Sequence, residues 1–194
     1  MYEYFASPNC FKTPALTGNL TTTLVNPLVS GNVSCGYNFA YTTATAYTAV
    51  SGGTTVASGS GIDDNIYTNQ AIGFPFDFNG KTYTSVGISS NGFIWFGSTN
   101  PATTEYAPLS TATAMEGVIS VFGDDLLARA AGSTIKTAVT GTAPNRVFTI
   151  EWLNFTDYAV YQDYLSLIVL FLDRYDFQIR LYEGSNNVDL AYNV

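Results

Sequence analysis

The sequence predicts an all-β protein, an antiparallel β-sandwich of jelly-roll type with an extended N-terminal arm. Short segments rich in β-branched and aromatic residues recur along the chain, turns containing Gly and Asn separate them, and no segment has convincing helical periodicity. Hydrophobic residues make up 46% of the 194 residues, so the chain can bury a sizeable core. The length suits one domain, which we place at residues 37–194, after an arm at residues 1–36.

The arm differs from the rest of the chain because prolines interrupt it and little periodicity is present. Pro8, Pro14 and Pro27 favour an extended segment. Both cysteines of the chain, Cys10 and Cys35, also lie there. A disulfide between them would close a loop of roughly 25 residues and contribute about 3 kcal/mol. An extracellular setting favours that bridge, whereas a reducing cytosol would leave both thiols free.

The domain is predicted to consist of short strands joined by tight turns. In chain order, strands are predicted near residues 37–42, 54–58, 71–78, 82–89, 93–97, 117–122, 134–139, 146–153, 164–172, 176–182 and 187–193. Asn79-Gly80 and Asn91-Gly92 predict hairpins, because Asn-Gly accepts the positive φ angles that match strand twist.

Alternation along the strands assigns most large aromatic residues to the space between two sheets. The residues so assigned are Phe74, Phe76, Phe78, Phe93, Trp95, Phe148 and Trp152. Phe96 is out of step with this pattern and is predicted to be the exposed aromatic of its strand. Glu151 alternates with core residues and is predicted to face solvent.

Composition excludes several classes of function. The net charge is −8 and the seven Lys and Arg residues are scattered, so nucleic acid and anionic membranes are poor partners. The chain has no His, which removes the Ser-His-Asp type of triad, and no motif marks a nucleophile. Nothing in the spacing of the acidic residues singles out a glycosidase pair. We therefore expect no enzymatic activity.

The longest apolar run, residues 164–172, predicts a buried strand rather than a transmembrane segment.

Two acidic clusters are candidates for binding calcium, which prefers six to eight oxygen ligands. They contain Asp63, Asp64, Asp124 and Asp125. The alternative is that these side chains cap turns by accepting hydrogen bonds from nearby backbone N–H groups. No other cofactor is expected.

Tyrosines are the candidates for binding a glycan. The chain has 14 Tyr, and exposed aromatic faces suit stacking against sugar rings. The candidates that fall in or near predicted loops are Tyr67, Tyr106, Tyr158 and Tyr161.

Three blocks of sequence carry a resemblance to a known kind of module. They read GGTTVASGSGIDDNIYTNQAIGFPFDFNGKTYTSVGISSNGFIWFGS, TGTAPNRVFTIEWLNF and FQIRLYEGSNNVDLAYN. The chain resembles the β-sandwich module of large secreted surface proteins of Bacteroidetes-type bacteria, which are type IX secretion substrates. The resemblance implies an extracellular or cell-surface location and a role in adhesion or matrix, and it implies no catalytic residues.

The arm suggests how such a module could assemble. Its apolar residues, Leu20, Leu24, Val25, Leu28 and Val29, could dock in pockets while the backbone adds a strand to a neighbour's sheet edge. Such head-to-tail contacts generate filaments. The alternative is an arm that packs on its own domain. We predict an extracellular structural or adhesive subunit that forms a homo-oligomer or homopolymer. The alternative function is a lectin-like module, with calcium as a candidate ligand.

Overall fold

The computed structural model describes residues 7–8, 37–38, 47–110, 114–128, 130–158 and 174–193. Within these ranges the chain forms β1 (Ser7–Pro8), β2 (Tyr37–Asn38), β3 (Thr54–Ser58), β4 (Ile66–Phe78), β5 (Lys81–Ser89), β6 (Phe93–Trp95), β7 (Ile119–Ser120), β8 (Leu126–Ala128), β9 (Thr134–Thr140), β10 (Val147–Asp157), β11 (Tyr175–Tyr182) and β12 (Val188–Asn193). No helix in these ranges is long and apolar enough to cross a membrane.

Two antiparallel sheets form the domain. One has the order β12-β11-β10-β9-β3, with β8 also paired to β10, and the other has the order β4-β5-β6-β7. A separate pair joins β1 to β2. One hydrophobic core draws on both large sheets, with Phe74 and Ile88 from one and Ile150 and Phe177 from the other. The predicted all-β antiparallel sandwich is confirmed, and the jelly-roll connectivity stays a prediction.

Both Asn-Gly hairpins are present, with loops of different length. Asn79 and Gly80 both have positive φ, 50° and 76°, and they join the paired residues Phe78 and Lys81 in a two-residue loop. The second hairpin joins Ser89 to Phe93 through three residues, and among them only Gly92 has a positive φ. A Cβ at Gly92 would lie 2.7 Å from Cβ of Phe122, so this turn needs glycine for space as well as for conformation.

The predicted core positions of Phe148 and Trp152 in β10 are confirmed, but the prediction for β6 is not. Phe96 is only 6% exposed and stacks on Phe78 with 5.0 Å between ring centroids, so its predicted exposure is wrong. Ile94 and Phe96 belong to the core. Phe93 and Trp95 alternate with them and project from the outward face of the sheet, so their predicted place between the sheets is also wrong.

Glu151 is buried on the outward face of the six-stranded sheet, at 1% exposure, and the prediction that it faces solvent is wrong. The hydroxyl of Tyr47 and the backbone N–H of Val50 donate to its Oε1 at 2.9 and 2.8 Å. Nε2 of Gln178 donates to the same oxygen at 2.8 Å. Residues 47–50 therefore cover this part of the sheet, which strand alternation alone could not reveal.

Several other predictions differ from the structure or lie outside it. Strand β4 begins at Ile66 rather than near residue 71, and the short strand β8 was not predicted. The predicted strand at 164–172 lies outside the described residues. The described residues also do not include Cys10, Cys35 or the predicted assembly residues Leu20, Leu24, Val25, Leu28 and Val29.

Candidate carboxylate site

Three of the four predicted calcium ligands come together in the fold. Asp63, Asp64 and Asp125 can each place one carboxylate oxygen within 4.8 Å of the others, and all three side chains are half-buried. The first two precede β4, while Asp125 precedes β8. An isolated antiparallel bridge between Asp63 and Leu127 joins these segments, which are distant in sequence. Pairing between the two loops therefore creates the cluster.

A fully buried amide, Asn91, organises this site. Its Nδ2 lies 3.3 Å from both Oδ1 of Asp64 and the backbone carbonyl of Thr103. Its Oδ1 accepts the backbone N–H of Leu126 at 3.2 Å. Asn91 thus links three loops around the carboxylates. Its sequence signal, Asn-Gly, predicted the turn but not this role.

The loop that carries the first two carboxylates is anchored to the same turn. The backbone of Asn65 exchanges two hydrogen bonds with Ser90, one to the hydroxyl and one from the Ser90 N–H, each 2.9 Å long. Oδ1 of Asn65 accepts the N–H of Asp63 at 3.3 Å. Asp64 has φ of 49°, in the left-handed region. These contacts fix the backbone on which the carboxylates stand.

Two of the four predicted glycan-binding tyrosines lie beside the carboxylates. The hydroxyl of Tyr106 donates to Oδ2 of Asp64 at 3.2 Å, and the backbone N–H of Tyr158 donates to the carbonyl of Asp125 at 2.8 Å. Burial and the charges of Asp125 and Asp64 raise the pKa of Tyr106 to about 12, so the hydroxyl keeps its proton at neutral pH. Tyr67 packs against the hydrophobic core, and Tyr161 lies outside the described residues.

The fourth predicted ligand, Asp124, stands apart from the cluster. Its side chain is exposed, and its Oδ1 accepts the backbone N–H of Asp125 at 2.8 Å. This is the turn-capping role that sequence offered as the alternative to calcium binding. Turn capping therefore describes Asp124, whereas its neighbour Asp125 belongs to the candidate calcium site.

The surroundings of the cluster disfavour ionisation of its carboxyl groups. Burial, followed by the charges of Asp64, Asp63, Asp124 and Asp157, raises the pKa of Asp125 to about 6. Burial and then the charge of Asp64 raise the pKa of Asp63. Oδ1 of Asp63 is buried and has no hydrogen-bond partner within the described part of the chain. A bound cation would stabilise all three carboxylates, and oxygen-rich sites of this kind suit Ca²⁺.

Comparison with known proteins places the chain in a family. A family model described as NIDO related matches residues 36–194. No curated protein and no solved structure matches the chain. NIDO domains occur in extracellular matrix proteins, in agreement with the predicted extracellular setting, while the bacterial type IX secretion setting stays a prediction. Since the match covers most of its length, the chain belongs to the NIDO-related family, whose domains are generally extracellular.

Proposed function

We propose that this protein is a structural, adhesive subunit of an extracellular matrix or surface fibre, and that it self-associates through its N-terminal arm. The observation that carries the proposal is the family match over residues 36–194, since NIDO domains occur in matrix proteins. The low share of charged residues, 11%, also suits dense lateral packing, where each buried charge would need a partner. The role is one of binding and structure rather than catalysis, and secretion to a bacterial surface is the proposed setting.

The sheet edges differ in how well they could accept an added strand. Along β4, Pro75 offers no N–H, the N–H of Asp77 donates to Asn186 at 2.9 Å, and the carbonyl of Gly73 accepts from Arg146 at 2.8 Å. Proline and such side-chain contacts hinder hydrogen bonding of a further strand to a sheet edge. In contrast, β3 and β12 terminate the six-stranded sheet, and each pairs with a single neighbour among the described strands. These two edges are the proposed acceptors.

Electron microscopy of the full chain and of residues 37–194 tests this proposal. We expect filaments or large oligomers from the full chain and their loss when the arm is removed. L24D/L28D in the full chain should also abolish assembly. L109D is the control and should leave assembly intact, because Leu109 lies outside the arm and is already 66% exposed. A monomer in every preparation would contradict the proposal, and so would assemblies that persist without the arm.

We further propose that Asp63, Asp64 and Asp125 bind Ca²⁺, which supports the lectin-like role as the second candidate function. The observation that favours it is the convergence of three carboxylates with Tyr106 and the Tyr158 backbone. In a lectin-like module, calcium would fix the loops that present these tyrosines to a glycan. Calcium sites of extracellular modules bind with Kd values of about 10⁻⁴ to 10⁻³ M, and a similar affinity is expected here.

Calorimetric titration with Ca²⁺ tests the metal site. Binding should occur with one ion per chain and should be lost in D64N/D125N. D124N is the matched control, because Asp124 is the adjacent acid outside the cluster, and it should retain binding. Absence of calcium binding by the wild type would contradict the metal site. A glycan array with and without calcium then tests the lectin-like role, which requires binding that chelation abolishes.

A further inference from the structure

A concave surface crosses β4, β5 and β6 of the four-stranded sheet, where the core residues Val86 and Phe96 also contribute to its lining. This groove has a volume of about 350 Å³, and its lining includes Thr68, Asn69, Ser85, Trp95, Ser98 and Asn100. Val86 and Ile88 of β5 point into the core, so Gly87 between them faces outward, and Gly87 is the cross-strand partner of Trp95. None of these residues belongs to the carboxylate cluster.

Glycine at position 87 makes room for the indole ring that forms the floor of the groove. A Cβ there would lie 2.2 Å from Cε2 and Cζ2 of Trp95, so the ring rests directly on the backbone of β5. Trp95 is 1% exposed and contributes the floor rather than a protruding platform. The indole N–H of Trp152, in the core, donates to the carbonyl of Ser89 at 2.9 Å. For Trp95 we find no such bond within the part of the chain that the structure describes.

Polar, uncharged side chains form the rim. Asn69 has φ of 56° and lies in a bulge of β4, where the register shifts between Tyr67 and Gln70. Bulges of this kind redirect side chains and are frequent beside functional sites. Ser98 and Asn100 are exposed and follow β6 on the opposite side of the groove. Amide groups therefore stand at both sides of the indole floor.

The chemistry of the lining selects the class of ligand. Among the described residues, none that lines the groove is charged, although the chain carries a net charge of −8. Amides and hydroxyls both donate and accept hydrogen bonds, which matches the hydroxyl groups of an uncharged sugar. The volume lies within the range of small-ligand pockets, about 300–1,000 Å³. A charged ligand would find no counter-ion among these described lining residues.

We propose that this groove binds a neutral carbohydrate independently of calcium. Asn69 and Asn100 hydrogen-bond the sugar hydroxyls, and Trp95 supplies the floor with its indole N–H as a further donor. The inference goes beyond the calcium-dependent site, because it uses different residues and no metal. It gives an adhesive subunit a means of holding matrix polysaccharide.

The two tryptophans of the chain allow a direct test by NMR, since only two indole N–H signals exist. The probes are neutral trisaccharides of glucose, mannose, galactose and N-acetylglucosamine, added in the presence of EDTA. We expect at least one of them to shift the Trp95 indole signal and leave the Trp152 signal in place. N69A/N100A should weaken that binding at least about tenfold, since it removes two hydrogen-bonding amides.

The matched control is N145A, because Asn145 is also exposed but lies in the turn before β10. It should bind like the wild type. S98F, at an exposed loop position, provides a second variant that fills the groove and should abolish binding. No Trp95 shift with any probe would overturn the inference, and so would unchanged affinity in both groove variants. Neither result would bear on arm-driven assembly or on calcium binding, which have separate tests.

Discussion

The side-chain amide of Asn91 donates a hydrogen bond to Oδ1 of Asp64 across 3.3 Å, which joins a hairpin turn to the carboxylate cluster. The same side chain accepts the N–H of Leu126, next to Asp125. Asn91 therefore holds both loops that carry the clustered carboxylates. The geometry of the proposed calcium site depends on a residue that would not itself bind the ion.

N91A should destabilise the domain by about 2 kcal/mol, because it leaves the N–H of Leu126 and the carbonyl of Thr103 without their partner. Urea unfolding in EDTA measures the loss. N145A, an exposed asparagine changed in the same way, should stay within about 0.5 kcal/mol of the wild type. Equal stability of N91A and the wild type would contradict the organising role of Asn91.

D125N should stabilise the metal-free protein above pH 6. The pKa of Asp125 is raised from 3.8 to about 6 in the folded state, so its ionisation costs folding free energy at higher pH. The cost diminishes as pH falls through 6 and vanishes below 3.8. The melting temperature of D125N in EDTA should therefore exceed that of the wild type at pH 8 and approach it at pH 4. Calcium should reverse the order at pH 8, and parallel pH profiles would contradict this account.

Arg146 and Glu183 should stabilise the opposite end of the sandwich in a pH-dependent way. Nε of Arg146 donates to Oε2 of Glu183 at 2.7 Å, and the guanidinium also lies 5.3 Å from the ring centre of Phe74. Hydrogen bonding from Arg146 lowers the pKa of Glu183 below 4.5. The stabilisation is present above pH 4.5 and is lost as pH falls through the lower, folded-state pKa.

E183Q isolates this contribution from those of the other carboxylates. Its melting temperature should be lower than that of the wild type at pH 7, and the two should converge under acid conditions. E105Q is a suitable control, because Glu105 is in none of the ion pairs found among the described residues. A constant difference between E183Q and wild type at every pH would refute the assignment.

A disulfide between Cys10 and Cys35 is expected in an extracellular setting, and β1 pairs with β2 near both cysteines in sequence. Ser7 pairs with Asn38 and Pro8 with Tyr37. Both cysteines lie outside the described residues. Mass spectrometry of alkylated, non-reduced protein should find no free thiol. C10S/C35S should be less stable by about 3 kcal/mol under oxidising conditions. Two alkylated cysteines would exclude the bridge.

Local signals in the sequence predicted most strands but not the contacts between them. Alternation in residues 146–153 identified the core face of β10, on which Phe148 and Trp152 lie, although burial also extends to Glu151 on the other face. The start of β4 was missed because positive φ angles at Asn69 and Gly73 mark irregularities that hide its period. The carboxylate cluster depends on loop pairing at Asp63 and Leu127, which no local pattern encodes.

The same limit explains the error at β6. Three consecutive large residues, Phe93, Ile94 and Trp95, are all buried, so hydrophobicity alone does not tell the inward face from the outward one. Pairing of Trp95 with Gly87 decides it, since the indole needs the space that only glycine leaves. The groove beside Trp95 follows from that pairing and could not be predicted from sequence.

The central claim is that the arm adds a strand to a sheet edge. Hydrogen exchange on the edge strands tests this claim most directly. The comparison is between assembled full chain and residues 37–194. Strand addition predicts that backbone amides along β3 or β12 become protected in the full chain and exchange rapidly without the arm, while β4 amides exchange alike in both. Equal exchange along β3 and β12 in the two preparations would contradict assembly by strand addition.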